Sequence, residues 1–300
     1  MTGRIFGVAC FLATLTGVVF LTVLLGSVVT SALSRPPDHP RYDLVGNGKE
    51  LTTYLISLAG RFQRSQVAKA GFRAGIAGSL WLLGLVTTFA IPVGVGAAVY
   101  LEEFAAPGRL RTIIDTNIAN LAGVPSIVYG LLGLAVFVRA FGVKTLAMGP
   151  TLWAGGLTLS LLVLPIVVIA TREALRAVPK SLRHAALGLG ATRWQVVRDH
   201  VLPSALPGIL TGTILALSRA VGETAPLLMV GAAGSTLRVP KGPSSGYTAL
   251  PVEIYNYAKE PDPAFAAVAA GGILILLALL LTMNAAAILI RNRYARHARS

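Results

Sequence analysis

The stretch Ser218-Arg219-Ala220-Val221-Gly222-Glu223-Thr224 places two opposite charges inside an apolar run that extends from Ala205 to Val230. An arginine near the centre of a bilayer costs about 3 kcal/mol on insertion scales, so it persists only where it faces a partner or a wet cavity. Glu223 follows Arg219 by four residues, and this spacing predicts that both side chains share one helix face. The pair is therefore a candidate functional site; the alternative is a self-neutralising contact between packed helices.

The composition indicates that this run lies in a membrane. Of the 300 residues, 54% are hydrophobic and only 13% are charged, and the mean hydropathy is +0.71. These values exceed what a soluble domain of this length needs. The formal net charge of +14 does not predict a nucleic-acid partner, because the basic residues cluster between apolar runs, as they do in loops at a membrane surface. A lone cysteine, Cys10, leaves no intrachain disulfide and no cysteine metal cluster.

Six apolar runs predict an all-α membrane protein with six transmembrane helices. The predicted spans are Ile5–Leu33, Gly75–Tyr100, Ile118–Phe141, Leu152–Ala170, Ala205–Val230 and Ala264–Ile290. The first run is far longer than the roughly 7–15 apolar residues of a signal peptide, so we expect a retained span. The expected organisation is a first span at 1–33, an external polar segment at 34–73, a core of five spans at 74–290 and a basic tail at 291–300.

The residues between the second and third spans are more polar. Residues 102–117 predict a short loop and an interfacial helix, and Glu102 and Glu103 at its start are expected to be solvated. Asn120 and Ser126 flank Gly123 and Pro125. They are candidates for hydrogen-bond donors to a pore, but small and polar residues are also common where membrane helices pack, and this second interpretation is favoured.

A basic stretch at 171–204, between the fourth and fifth spans, is too polar for lipid. Pro179 predicts a helix start, and Gly188 and Gly190 predict its end, which gives a short helix at 181–189. Its surface at Ala185 and Ala186 lacks bulk, which suits insertion into a groove of a partner protein. The alternative is a basic loop that lies on anionic lipid.

The same stretch resembles the cytoplasmic loop of ABC importer permeases, which is written E-A-A-x3-G-x9-I-x-L-P. His184-Ala185-Ala186, Gly190 and Leu202-Pro203 occupy the corresponding positions, while His184 replaces the usual Glu and His200 replaces the usual Ile.

Two further motifs are similar to those of the phosphate (Pst) type of permease. Their residues resemble the PstA half more than the PstC half. They are Arg219-Ala220-x-Gly222-Glu223-Thr224-Ala225-Pro226-Leu227 and Asn120-Leu121-Ala122-Gly123-Val124-Pro125-Ser126-Ile127-Val128-Tyr129-Gly130.

The resemblance implies the architecture of an ABC type I importer permease for inorganic phosphate in a prokaryotic cell membrane. It implies that Arg219, Glu223 and Thr224 lie in the substrate path. Arg219 is the candidate for contact with phosphate, because its fork of donors matches a tetrahedral oxyanion. Contact with the ATPase is implied for His184, Ala185, Ala186, Gly190, Leu202 and Pro203. The implied partners are a homologous permease, two cytosolic ATPase subunits, an external phosphate-binding protein and membrane lipid.

The residues alone leave several questions open. Basic residues are nearly balanced between the two sides of the predicted topology, because 34–73 is itself rich in Lys and Arg, so charge does not orient the chain. Cytoplasmic termini are expected only because the loop at 171–204 must meet an ATPase. Gly46-Asn47-Gly48-Lys49 lacks the first glycine of a phosphate-binding ATPase loop, so we expect no ATP hydrolysis by this chain and no cofactor. The alternatives are a permease for another oxyanion or small solute, a stand-alone carrier or channel, and a structural membrane anchor.

Overall fold

The computed structural model describes residues 2–33, 51–61, 70–143, 145–232 and 239–297, and all regular secondary structure within them is helical. Among these residues, five helical segments are long and apolar enough to cross a membrane, and a sharply bent helix pair adds a sixth if it is counted as one span. The fold is therefore that of an all-α, multi-pass membrane protein, which confirms the predicted fold class.

The described part of the chain contains twelve α-helices. They are α1 Thr2–Leu33, α2 Leu51–Gly60, α3 Arg73–Val99, α4 Arg109–Ala122, α5 Ser126–Gly133, α6 Leu152–Arg176, α7 Lys180–Gly188, α8 Arg193–Gln195, α9 Leu202–Gly222, α10 Ala225–Val230, α11 Leu250–Ala258 and α12 Ala264–His297. In the same described ranges, three π-helical turns extend α3, α5 and α8, at Tyr100–Phe104, Leu134–Val138 and Val196–Val201. Such turns widen a helix locally and are frequent at functional sites.

The chain divides into two compact units, of which the first comprises 1–73 and 253–277. In this unit Tyr257 packs edge-on against Phe72 and stacks on Phe265, with ring centroids 5.3 and 5.6 Å apart. Its hydroxyl is 3.2 Å from both the backbone N–H and the carbonyl of Gly71. Of the predicted polar segment at 34–73, residues 34–50 and 62–69 lie outside the described part of the chain.

The second unit comprises 74–252 and 278–300, and the packing of α6 against α9 lies at its centre. Gly208 and Gly212 let the two backbones approach closely. A Cβ on Gly208 would lie 2.7 Å from the Cβ of Ala174, and one on Gly212 would collide with the Cβ of Ala170. Because lipid removes the hydrophobic drive for helix association, close contact between small residues is what holds such helices together.

The segment before α11 closes one end of α6. The carbonyls of Ser245 and Pro243 accept hydrogen bonds from the first backbone N–H groups of α6, at Leu152 and Trp153, over 3.1 and 2.9 Å. A helix leaves its first N–H groups without intrahelical partners, so these carbonyls satisfy groups that would otherwise be exposed to an apolar environment.

The third and the last predicted spans differ from the observed helices. The third, predicted as continuous over Ile118–Phe141, is broken: Arg109–Ala122 and Ser126–Val138 meet at 102°. Pro125 causes the break, because it lacks an N–H and disfavours a helical conformation in the residue before it. The last helix continues to His297, beyond the predicted end at Ile290, so most of the expected tail is helical.

Candidate functional site

Arg219 and Glu223 form an ion pair, as their spacing predicts. The Nε of Arg219 donates to Oε1 of Glu223 over 3.1 Å, and the two side chains are 46% and 16% exposed. Within the described part of the chain, the two terminal amino groups of Arg219 make no hydrogen bond. The arginine is therefore held at one nitrogen and presents the rest of its guanidinium fork on an open face of the chain.

The pair lies where the fifth span is interrupted. The sequence predicted one helix through Val230 that Pro226 would loosen, whereas α9 ends at Gly222 and Glu223 is extended, with φ −74° and ψ 121°. The prediction of a continuous helix was wrong, because Pro226 cannot donate to the carbonyl of Gly222 and its ring would collide with it. Pro226 instead lies in the first turn of α10, where a missing N–H is tolerated, and Thr224 precedes that helix.

The broken third span packs against the same region. A Cβ on Gly130 of α5 would lie 2.7 Å from the Cα of Pro226 in α10, so the two interrupted spans meet without intervening side chains. Irregular backbone at membrane depth is tolerated where it is buried in protein or lines a cavity, and interrupted helices supply binding sites in many transporters. The position of Arg219 beside two helix breaks is therefore consistent with a substrate site.

Tyr129 spans the break in the third span. Its buried hydroxyl donates to the carbonyl of Leu121 over 2.8 Å, which bridges the gap between α4 and α5. Asn120 is exposed on one side of the break and Ser126 is half-buried on the other. Their role in a pore or in packing stays a prediction.

Ser218, the neighbour of Arg219, forms a second polar contact that the sequence did not predict. Its hydroxyl lies 2.6 Å from the side-chain oxygen of Asn284 on α12. Asn284 is separated from Ser218 by 66 residues, so no local pattern could pair the two. The contact ties α9 to α12 beside the candidate site.

The expected helix of the 171–204 stretch is present as α7, with Pro179 before it and Gly190 just beyond it. Gly190 has φ +86°, a left-handed conformation that side chains with a Cβ rarely adopt. His184 and Ala185 are exposed, but Ala186 is buried in a core with Leu175, Val197 and others. The predicted two-alanine contact surface was therefore wrong, because Ala186 packs inside its own chain. Leu202 and Pro203 begin α9.

A second group of charges surrounds the end of α6, and we call it the ionic cluster. Its members are Glu102, Glu103, Arg111, Asp115, Arg172, Arg176 and Arg183. Arg172 donates to both carboxylate oxygens of Asp115, over 2.7 and 3.0 Å, and to Glu102 over 3.3 Å. Arg183 donates to Glu103 over 2.7 Å.

The expectation that Glu102 and Glu103 are solvated was wrong. Their side chains are only 15% and 10% exposed, and both accept hydrogen bonds from arginines at least 70 residues further along the chain. The only signal in the sequence was complementary charge: an acidic pair after α3 and several arginines after α6. Charge alone could not tell which of those arginines would reach it.

The comparisons with known proteins show the family. The family described as "Binding-protein-dependent transport system inner membrane component" matches residues 90–294, more than half of the chain. The protein therefore belongs to this family of multi-pass membrane permease subunits.

Several curated relatives are similar to the chain. The probable ABC transporter permease protein YqgI of Bacillus subtilis is 40% identical over 161 residues, which cover 54% of this chain and 53% of that relative. The phosphate transport system permease protein PstA 1 of Mycobacterium tuberculosis is 39% identical over 216 residues, covering 71% of this chain and 68% of the relative. The phosphate transport system permease protein PstA of Xylella fastidiosa is 34% identical, and the match covers 75% of this chain and 77% of that relative. The matched region thus spans from about half to about three quarters of these relatives.

Solved structures support the fold. A chain of the MetNI methionine ABC transporter, in an inward-facing conformation, aligns with a TM-score of 0.58 at 20% identity and covers 74% of this chain and 97% of its own. A chain of a bacterial ABC transporter involved in the import of the acidic polysaccharide alginate aligns with a TM-score of 0.55 at 16% identity. The alignment covers 92% of this chain and 95% of that one. The helical arrangement is therefore that of ABC importer permeases.

Proposed function

We propose that this chain is the transmembrane permease subunit of an ATP-driven importer for inorganic phosphate, and that it forms one half of the translocation path. The observation that carries the proposal is the Arg219 guanidinium, held at one nitrogen by Glu223 and otherwise without hydrogen-bond partners in the described residues. Its planar fork of donors matches the geometry of a tetrahedral oxyanion. The similarity to relatives named as phosphate transport permeases supports phosphate as that oxyanion.

Glu223 sets how strongly this site holds its substrate. In the empty site its carboxylate keeps Arg219 paired, which avoids an isolated charge in a low-dielectric environment. When phosphate enters, the carboxylate remains nearby and repels it, so the anion binds weakly enough to leave on the other side. Thr224 follows in the interrupted segment and adds a hydroxyl to the same path.

The complex that this function requires has four kinds of partner: a homologous permease that supplies the other half of the path, two ATPase subunits, an external phosphate-binding protein and membrane lipid. ATP hydrolysis belongs to the ATPase subunits. The exposed surface of α7, with His184 and Ala185, together with the turn at Gly190 and the start of α9 at Leu202 and Pro203, contacts them. Closure of the ATPase pair then moves α7 and reorients the spans around Arg219.

The test is purification of the tagged chain with its partners, followed by reconstitution into vesicles with ATP on the ATPase side. Copurification of an ATPase and ATP-dependent accumulation of labelled phosphate, with little competition from excess sulfate, are the expected results. Accumulation of sulfate or a neutral solute in place of phosphate would support the neighbouring permease classes. Accumulation without any ATPase would identify a stand-alone carrier.

Orientation is tested separately with a Cys10→Ser variant that carries one new cysteine. We place both termini and the 171–204 stretch in the cytoplasm. A cysteine at Ser300 should then resist an impermeant thiol reagent in intact cells, and one at Ser245 should react. The reverse pattern would place the 171–204 stretch outside, where it cannot meet an ATPase.

A further inference from the structure

Arg183 ties α7 to two other elements at once. Its Nη2 donates to Oε1 of Glu103 over 2.7 Å and to the carbonyl of Leu175 over 2.8 Å, while its Nη1 donates to the carbonyl of Val178 over 2.7 Å. Leu175 lies in the last turn of α6, where carbonyls have no intrahelical partner. One guanidinium thus joins α7 to the end of α6 and, through Glu103, to the end of α3.

The π-helical turn at Tyr100–Phe104 divides two adjacent carboxylates between different partners. Glu102 accepts from Arg172 and Arg176, which are both on α6. Glu103 accepts from Arg183 on α7. The end of the α3 span is therefore attached to the end of α6 by one carboxylate and to α7 by the other.

Apolar packing alone would not fix α7 relative to α3. The core around α7 consists of small and aliphatic side chains, such as Val99, Val178 and Ala186, and hydrophobic contact has no preferred direction. The contact between Arg183 and Glu103 is directional, and the side chains are only 18% and 10% exposed. Screening by water and salt is weak at such burial, and charge-assisted bonds to carboxylate are among the stronger polar contacts.

We propose that the Arg183–Glu103 pair is the link through which displacement of α7 moves the end of α3, so that Arg183 and Glu103 are positioning residues for the coupling of ATP hydrolysis to transport. The inference rests on the proposed function, because it takes α7 as the helix that meets the ATPase. Without the pair, α7 still follows the ATPase but slides along its apolar core. ATP is then hydrolysed while the span that begins at Arg73 moves too little to open the path.

The measurement is the number of phosphate ions imported per ATP hydrolysed by the complete complex in vesicles. Glu103→Gln keeps the shape of the side chain and removes its charge, and Arg183→Lys keeps the charge but cannot reach a carboxylate and two carbonyls together. Each variant should lower the ratio about tenfold, the change expected when a charge-assisted bond worth roughly 1.5 kcal/mol or more is lost, with ATP hydrolysis maintained. The double variant should be little worse than either single variant, because both remove the same link.

The matched control is Arg198→Lys. Arg198 lies in the same 171–204 stretch, but its ion pair with Asp199 is exposed, at 69% and 54%, so the ratio should not change. If Glu103→Gln prevents assembly, Glu103→Asp, which keeps the charge and shortens the side chain, replaces it. A wild-type ratio in an assembled Glu103 variant, or additive losses in the double variant, would overturn the link while leaving the transport function intact. A wild-type complex that neither binds an ATPase nor imports phosphate would instead overturn the proposed function.

Discussion

Arg172 and Arg219 both lie on long apolar helices, but their guanidinium groups are used very differently. Arg172 is 8% exposed and donates from all three of its nitrogens, to Asp115 and Glu102. Arg219 is 46% exposed, and among the residues that the structure describes it donates only from Nε, to Glu223. The first arginine has little remaining capacity to bind a ligand, whereas the second keeps two amino groups available.

The difference indicates two uses of charge in an apolar protein. A buried cation whose donors are all satisfied fixes neighbouring helices relative to one another, and removal of one partner leaves an uncompensated charge. A cation with unused donors at an interrupted helix is held in place for a ligand that comes and goes. Substitution of Arg172 should therefore lower the stability of the protein, whereas substitution of Arg219 should lower transport.

The largest effect is expected for transport after substitution of Arg219. Arg219→Lys replaces a planar fork by a point charge and should weaken phosphate uptake roughly tenfold to a hundredfold, since one charge-assisted bond is worth about 1.5–3 kcal/mol. Arg219→Gln should be worse, because Glu223 is then left unpaired. Uptake is measured in cells that lack other phosphate carriers, alongside the abundance of the complex.

The double variant Arg219→Gln with Glu223→Gln is the control for this series. It restores neutrality, so assembly should recover while transport should not. Phosphate uptake at the wild-type rate in the double variant would mean that the pair only holds helices together, and the contrast with Arg172 would disappear.

A large effect on stability is expected for Arg172. Arg172→Met removes a buried cation from two carboxylates and should lower the stability of the assembled permease by about 3–5 kcal/mol, seen as a marked fall in its unfolding temperature in detergent. Arg176→Met is the matched comparison in the same cluster. Its side chain is 46% exposed, and exposed pairs contribute only about 0–1 kcal/mol. Equal losses in the two variants would contradict the role assigned to burial.

The sequence predicts this contrast only in part. The apolar runs were enough to place the long helices, because about 20 apolar residues are needed to cross a bilayer. Pro179 and Gly190 were enough to bound α7, because their effects on the backbone are local. The contact of Arg219 with Glu223 also follows from spacing, since the two residues are four positions apart.

The remaining features depend on residues that are distant in the chain. Glu103 meets Arg183 across 80 residues, and Glu102 meets Arg172 across 70, so no periodic pattern assigns these partners. The breaks at Gly123–Pro125 and at Glu223 were missed for a different reason. Both breaks have a proline signal, but the sequence across them is continuously apolar, and an apolar run by itself predicts an unbroken span. Membrane helices with prolines at Pro92 and Pro165 do continue, so a proline alone does not decide between a kink and a break.

A smaller effect on transport is expected at the turn that follows α7. Gly190 has φ +86°, and a Cβ there would meet no atom within 4 Å. Gly190→Val therefore acts through backbone conformation alone, because a left-handed conformation costs a residue with a Cβ about 1–2 kcal/mol. It should reduce phosphate-stimulated ATP hydrolysis and import while membrane insertion stays normal. Gly188→Val is the matched control, because Gly188 also faces open space but has no positive φ. Normal stimulation of ATP hydrolysis in purified Gly190→Val complex would refute this expectation.

The smallest effect is expected at Tyr129, which adjoins the Arg219 site. Tyr129→Phe removes the hydrogen bond to the carbonyl of Leu121 but keeps the buried ring, and Leu121 retains a bond from the N–H of Val124. The free energy of unfolding should fall by about 0.5–1.5 kcal/mol, which is measured as a slightly lower unfolding temperature. Phosphate uptake should also weaken, because the break near Arg219 loosens.

Tyr247→Phe is the control for that small effect. The Tyr247 hydroxyl is buried and has no hydrogen-bond partner among the described residues, and burial raises the pKa of this hydroxyl, so it stays protonated. Removal of an unsatisfied buried polar group relieves its desolvation cost, so Tyr247→Phe should be neutral or slightly stabilising. The two substitutions delete the same atom from buried rings in one unit of the chain. Opposite signs of the change in stability would assign the loss at Tyr129 to its hydrogen bond. If both variants lost the same stability, the hydroxyl of Tyr129 would contribute nothing beyond its volume. The break between α4 and α5 would then be held by Pro125 and by packing against α10 alone.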